Sequence, residues 1–380
     1  MNEVRRAVPE APTLDSGHIA ALDGLRALAI LLVMPHNLRL VVAPEDLGSK
    51  LLNQVLDRGW IGVQLFFVLS GFLITRILIR AQNRPHSLRG FYWRRGLRIW
   101  PLYYATLFLL LIVLPSLGWL PPHHNPQDIF AWTFLINLTQ PFAHEGIGLP
   151  HLWSLAVEEQ FYLLWPLLIR GASPRRIVHI CLGLALTSMG VRWGMLAHGW
   201  PEQAAYVWTP CRMDALALGG AVAALLEWPQ AVQWLKQRPR LLWMSPWAFL
   251  GAGALASRGY SQFGAWPQIA GYSLLATGFA ALILYLVAAD FGWVPLRLAH
   301  LRGKPLRTIA QYSYGMYMVH SPLGSLWLQP LARKWGWAHH PSFATQCTYL
   351  VMAMCASMAA GALTYHAYEQ YFLRLKSQWD

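Results

Sequence analysis

Arg26 and His36 stand ten residues apart in the largely apolar run LDGLRALAILLVMPHN, Leu22 to Asn37. An ionisable side chain inside an apolar helix is costly, so each needs a partner and each is a functional candidate. Imidazole is the side chain best suited to exchange protons near neutral pH. Ten helical residues rise about 15 Å, so the two groups cannot touch, and an elongated substrate running between them would satisfy both. Further along, HLWSLAVEEQFYLLWPLL, His151 to Leu168, holds the acidic pair Glu158 and Glu159. Adjacent helical residues point about 100° apart, so one of the two is expected to face inward. Ser154, Glu158 and Tyr162, at steps of four, share one face of the helix. A carboxylate near a helix start also has a purely structural use against the helix dipole.

The segment FYWRRGLRIWPLYY, Phe91 to Tyr104, interleaves Arg94, Arg95 and Arg98 with aromatic rings. Guanidiniums pair bidentately with phosphate and aromatic faces stack on adenine, so a nucleotide-bearing donor such as coenzyme A suits it. On composition alone the plainer reading, a cationic anchor with an aromatic belt, prevails. In TPCRMDALALGG, Arg212 and Asp214 are two apart, so they point to different faces and need separate partners. YSYGMYMVHSPL places Tyr317 and His320 in one helix. The pairs His123–His124 and His339–His340 lack the i, i+4 spacing or carboxylate companion of a metal site, and no metal is expected.

The elements that must position these residues are membrane helices. Charged residues make up only 12% of the 380, against about 25% in a soluble domain. Too few charges are present to cover a soluble surface, and 20 Trp with 15 Tyr suit two membrane interfaces. An all-α polytopic bundle of about ten transmembrane helices follows, with spans near 19–42, 60–79, 99–118, 152–169, 177–197, 209–227, 241–257, 267–289, 308–328 and 346–372. The run Ile129 to Leu138 is too short to span and reads as a half-helix or re-entrant piece. Twenty of the thirty basic residues fall on one set of alternating loops and five on the other, so both termini are expected in the cytoplasm. The net charge of +13 is therefore mostly topology, and no nucleic-acid partner is expected. The four cysteines form no C-x-x-C pair and read as small buried hydrophobes. Residues 1–17 form a polar tail with no cleavable signal, 18–372 one membrane domain, and 373–380 a second tail.

Taken in order, LDGLRALAILLVMPHN, GWIGVQLFFVLSGFLIT, FYWRRGLRIWPLYY, HLWSLAVEEQFYLLWPLL and SYGMYMVHSP resemble the acyltransferase 3 family of membrane O-acyltransferases. The likeness covers roughly residues 18–372. It implies transfer of an acyl group, often acetyl, from cytoplasmic acyl-coenzyme A to a hydroxyl of a glycan or lipid-linked acceptor outside the cytoplasmic membrane. The donor is a substrate, and no permanently bound cofactor is implied. Arg26 and His36 match the family's required Arg and His, Arg95 and Arg98 its R-x-x-R motif, Ser154 to Glu159 its S-L-x-V-E-E segment, and Ser70 to Phe72 its S-G-F motif. On this reading His36 is a general base, Arg26 orients the donor or stabilises its oxygen, Glu158 supports the imidazole or the acceptor, and Arg94, Arg95 and Arg98 hold the donor's phosphates. The usual spacing has ten residues between Arg and His, whereas nine intervene here and Asn37 occupies the usual His position. Re-aiming of His36 by Pro35 is the expected remedy. A transporter or flippase using the same ionisable residues is the competing expectation; it would consume no acyl-coenzyme A.

Overall fold

A computed structural model describes residues 19–40, 42, 46–82, 87–121, 128–142, 149–337 and 341–375. The N-terminal tail, residues 376–380, His123–His124 and His339–His340 lie outside them. Every regular element among the described residues is helical. The long helices are α1 (Ala20–Leu38), α2 (Ile61–Ala81), α3 (Ser87–Phe108), α4 (Leu152–Leu168), α5 (Pro174–Ala197), α6 (Thr209–Leu226), α7 (Pro239–Ala256), α8 (Tyr272–Asp290), α9 (Lys304–Leu323) and α10 (Phe343–Thr364).

Among the described residues, seven helical stretches, those containing α1, α2, α3, α5, α6, α8 and α10, are long and apolar enough to cross a membrane. The other three expected spans are helices too, but fall short of that measure. With 17 residues, α4 is shorter than the roughly 20 that cross a hydrocarbon core. In α9 the hydropathy is lowered by Arg307 and Gln311, which are exposed, and by His320, which is buried against other helices.

One boundary differs from expectation in a way that matters. The segment with Arg94, Arg95 and Arg98 is not a loop: α3 begins at Ser87 and carries all three. Hydropathy alone placed the helix start near residue 99, because three guanidiniums depress the average. The helix forms regardless, since its apolar side buries Phe91, Ile99, Leu102 and Tyr103. The run Ile129 to Leu138, expected as a half-helix or re-entrant piece, is broken into short helices Asp128–Trp132 and Ile136–Thr139. Phe134 turns between them at φ 55°, its ring stacked on Tyr103 at 4.2 Å. Asn137 then donates to the Val207 carbonyl and Thr209 hydroxyl, which docks this piece on the start of α6.

Two glycines set the closest crossing. A Cβ on Gly71 of α2 would lie 1.8 Å from the Leu216 carbonyl oxygen of α6, and one on Gly219 would lie 2.0 Å from that of Val68. Membrane helices gain little from hydrophobic exclusion between themselves, so such small-residue contacts supply their association through packing. Arg212 and Asp214 do take separate partners. Asp214 pairs with Arg192 of α5 at 2.9 Å and accepts from Ser273 at 2.7 Å. Arg212 donates to Gln64 and lies among the rings of Phe67, Trp153, Tyr206 and Tyr272, 4.5 to 5.7 Å from each centroid.

Candidate active site

Five helices, α1, α2, α3, α4 and α9, enclose a cavity of about 110 Å³. Its polar lining comprises Arg26, Ser70, Arg95, Arg98, Ser154, Glu158, Ser313, Tyr314 and Tyr317; Phe66, Phe67 and Leu155 are among its apolar walls. The helical repeat explains the selection. Arg95 and Arg98 are three apart, so both reach the cavity from one face of α3. Arg94 points elsewhere, its guanidinium back beside Gly90. On α4, Ser154 and Glu158 line the cavity four residues apart, while Glu159 accepts from the Trp100 indole at 2.9 Å outside it. Gly71 brings α2 against α6, and Ser70 beside it turns into the cavity.

The polar groups form one connected set. Arg95 lies 4.1 Å over the Tyr162 ring and donates to its hydroxyl, which is hydrogen-bonded to Ser70. Glu158 is within hydrogen-bonding reach of the Ser70 and Tyr162 hydroxyls. The Arg95 Nε is buried with no partner, leaving an unused donor. Arg26 is 3.6 Å from Asp23, one turn earlier on α1. Three guanidiniums thus converge on a space whose lining holds a single carboxylate. Such a space suits an anion.

His36 stands apart from this lining. Its Nδ1 lies 2.9 Å from the Leu56 carbonyl oxygen. Because a carbonyl only accepts, Nδ1 is the donor. The helix runs on through Pro35 to Leu38, and the next residue, Asn37, reaches across to α9, where its Nδ2 lies 3.0 Å from His320 Nε2. His320 in turn packs against His151, with ring centroids 4.9 Å apart. Reading the sequence missed this contact because it joins residues 169 positions apart; the one available signal was an imidazole at each end of two polar-faced helices.

A second cavity, of about 340 Å³, lies along the same α2, α3 and α4, lined by Leu78, Gln82, Leu88, Arg89, Pro166 and Arg170 among others. From Glu158 to Pro166 is eight residues, about 12 Å along α4. The two cavities are therefore stacked, the second at the end where α2 stops and α3 begins.

Residues 19–365 match the family model described as an acyltransferase domain. The chain belongs to the acyltransferase 3 family. Among its relatives, the acyltransferase 3 chain is 29% identical over 330 residues to the peptidoglycan O-acetyltransferase OatA of Listeria monocytogenes, covering 81% of this chain and 50% of that protein. It is also 29% identical over 325 residues to the O-acetyltransferase OatA of Staphylococcus aureus, covering 80% and 50%. The chain thus spans about half the length of the curated relatives it matches. No solved structure matches it.

Proposed function

We propose that this acyltransferase 3 domain takes an acetyl group from cytoplasmic acetyl-coenzyme A and passes it to a hydroxyl of a cell-envelope glycan on the other side of the membrane. The observation that carries the reading is the convergence of Arg26, Arg95 and Arg98 on one cavity with Glu158 opposite. Guanidiniums make charge-assisted hydrogen bonds to an oxygen that gains negative charge, and an unpaired Arg95 donor favours such a ligand over an empty site. The stacked second cavity supports a long donor. Its Arg89 and Arg170 would face the nucleotide phosphates while the pantetheine arm reaches up to the first cavity.

In this reading Arg26 and the α3 arginines hold the donor and stabilise negative charge on the thioester oxygen as it develops. Glu158, with Ser70 and Tyr162, orients the reacting groups, and His36 belongs with Asn37 to the mouth at the opposite end of α1. The two relatives named as O-acetyltransferases, one of them for peptidoglycan, support a glycan acceptor.

The test is thiol release from acetyl-coenzyme A by the purified protein in nanodiscs, with Arg95→Ala and Arg98→Ala beside it. Release by the unsubstituted protein that both variants lose supports the reading. Transport of a labelled glycan with no thiol release would replace it by a flippase.

A further inference from the structure

Beyond the arginine end, the opposite end of the site holds a buried histidine pair that needs a role. His151, at the start of α4, is 5% exposed and His320, in α9, is 0% exposed. Neither ring nitrogen of His151 makes a hydrogen bond of ordinary geometry, and the Met318 backbone is the one polar group within reach of the ring. A buried polar group left unpaired is penalised, and each such group in a folded protein calls for an explanation.

His320 is different. Its Nδ1 lies 2.7 Å from the Tyr317 carbonyl oxygen, which can only accept, so Nδ1 carries the proton. Nε2 therefore has the lone pair and accepts from the Asn37 amide at 3.0 Å. Both nitrogens are used and the ring is held in one neutral tautomer. His151 packs edge-on against that fixed ring at 4.9 Å and against the Tyr317 ring at 5.2 Å.

The pair adjoins the cavity. Tyr317 and Ser154 line it, their hydroxyls lie 2.6 Å apart, and Tyr317 donates to the carbonyl oxygen of His151 itself at 2.8 Å. The pair also adjoins the surface, because Asn37 is exposed. His151 thus lies between the exposed Asn37, reached through His320, and the cavity lined by its neighbours Ser154 and Tyr317.

We propose that His151 is the imidazole that takes the proton of the acceptor hydroxyl, and that His320, fixed by Asn37, positions it. This rests on the acyltransferase reading above. The acceptor O–H proton moves to the ring nitrogen of His151 that holds the lone pair, while the oxygen attacks the thioester carbonyl carbon. The new C–O bond forms, the C–S bond breaks, and the departing thiolate takes the proton from the imidazolium. Ester and thiol are the products, with no further reactant.

The experiment measures thiol release from acetyl-coenzyme A in nanodiscs, with an N-acetylglucosamine oligosaccharide added as acceptor probe and water as the background acceptor. His151→Gln is expected to lower release at least about 100-fold, the scale of general-base catalysis. Acetyl-coenzyme A binding by calorimetry is expected to stay within threefold of the unsubstituted protein. His151→Gly is expected to regain release with added imidazole, which a merely structural ring would not allow. Undiminished release by His151→Gln, joint loss of release and donor binding, or absence of imidazole rescue would each overturn the role of His151. Undiminished release by His151→Gln together with its loss in His36→Ala would return the base to α1. No release by the unsubstituted protein would instead bring down the acyltransferase reading, and the pair's role with it.

Discussion

Asn37 and His320 meet across α1 and α9, the amide nitrogen 3.0 Å from Nε2. The contact ties the helix that carries Arg26 to the helix that carries Tyr317, both of which line the central cavity. It also occupies the lone pair of His320 Nε2, the Tyr317 carbonyl having fixed the proton on Nδ1. Asn37→Ala removes one neutral hydrogen bond, worth about 1 kcal/mol, so release of thiol should fall about fivefold. The same variant should shift the His320 Nε2 resonance, which loses its donor, in the ¹⁵N spectrum of histidine-labelled protein. An unchanged spectrum would show that Asn37 does not hold the ring.

Arg95 and Arg98 share one face of α3, and Arg94 does not. Charge-assisted hydrogen bonds are worth about 1.5–3 kcal/mol, so Arg95→Ala should weaken acetyl-coenzyme A binding about 10- to 100-fold. Arg95→Lys should recover little of it, because an ammonium lacks the planar fork. Arg94→Ala should cost much less. Calorimetric titration of the three variants checks the order.

Gly71 and Gly219 should tolerate no side chain. Their added Cβ atoms would sit 1.8 and 2.0 Å from backbone oxygens, which cannot rotate away as a side chain would. Overpacking costs about 1–3 kcal/mol or more, so Gly71→Ala should lower the unfolding midpoint in detergent clearly. Activity should fall with it, since Ser70 moves when α2 is pushed off α6.

Arg192 and Asp214 are both fully buried, 2.9 Å apart. Removing one partner of such a pair strands a buried charge at a cost of about 3–5 kcal/mol. Asp214→Ala should therefore accumulate poorly, and Arg192→Leu with Asp214→Leu should recover much of the loss. Thermal unfolding of the single and double variants in detergent provides the comparison.

Asp46 lies just before the short helix Leu47–Leu56 and supplies a pH dependence. Its carboxylate accepts from the Ser49 amide at 2.6 Å and the Phe343 amide at 2.8 Å, fastening that helix to the start of α10. The Ser49 and Phe343 hydrogen bonds hold its pKa below the ordinary carboxylate value. A depressed folded-state pKa stabilises above the unfolded value and loses its effect as pH falls through the folded one. Protection factors at the Ser49 and Phe343 amides, taken relative to the intrinsic exchange rate at each pH, should thus be high and level near neutrality and fall only in acid. Asp46→Asn should flatten that profile.

Much of this was legible in the sequence, and the reason lies in helix geometry. Low charge and long apolar runs dictate membrane helices, and the 3.6-residue period fixes which residues share a face. That period alone put Ser154, Glu158 and Tyr162 together, separated Glu158 from Glu159, and sent Arg212 and Asp214 to different partners. The ordered motifs were enough for the family. What the period cannot say is which face of one helix meets which face of another. That depended on close contacts such as Gly71 against Leu216, and only the tertiary structure could supply them. It drew Arg95 and Arg98 into α3 despite their charge, left His36 against the Leu56 carbonyl, and set Asn37 against His320. The one-residue step between His36 and Asn37 turns a side chain about 100°, a small change along the chain and a large one across a helix interface.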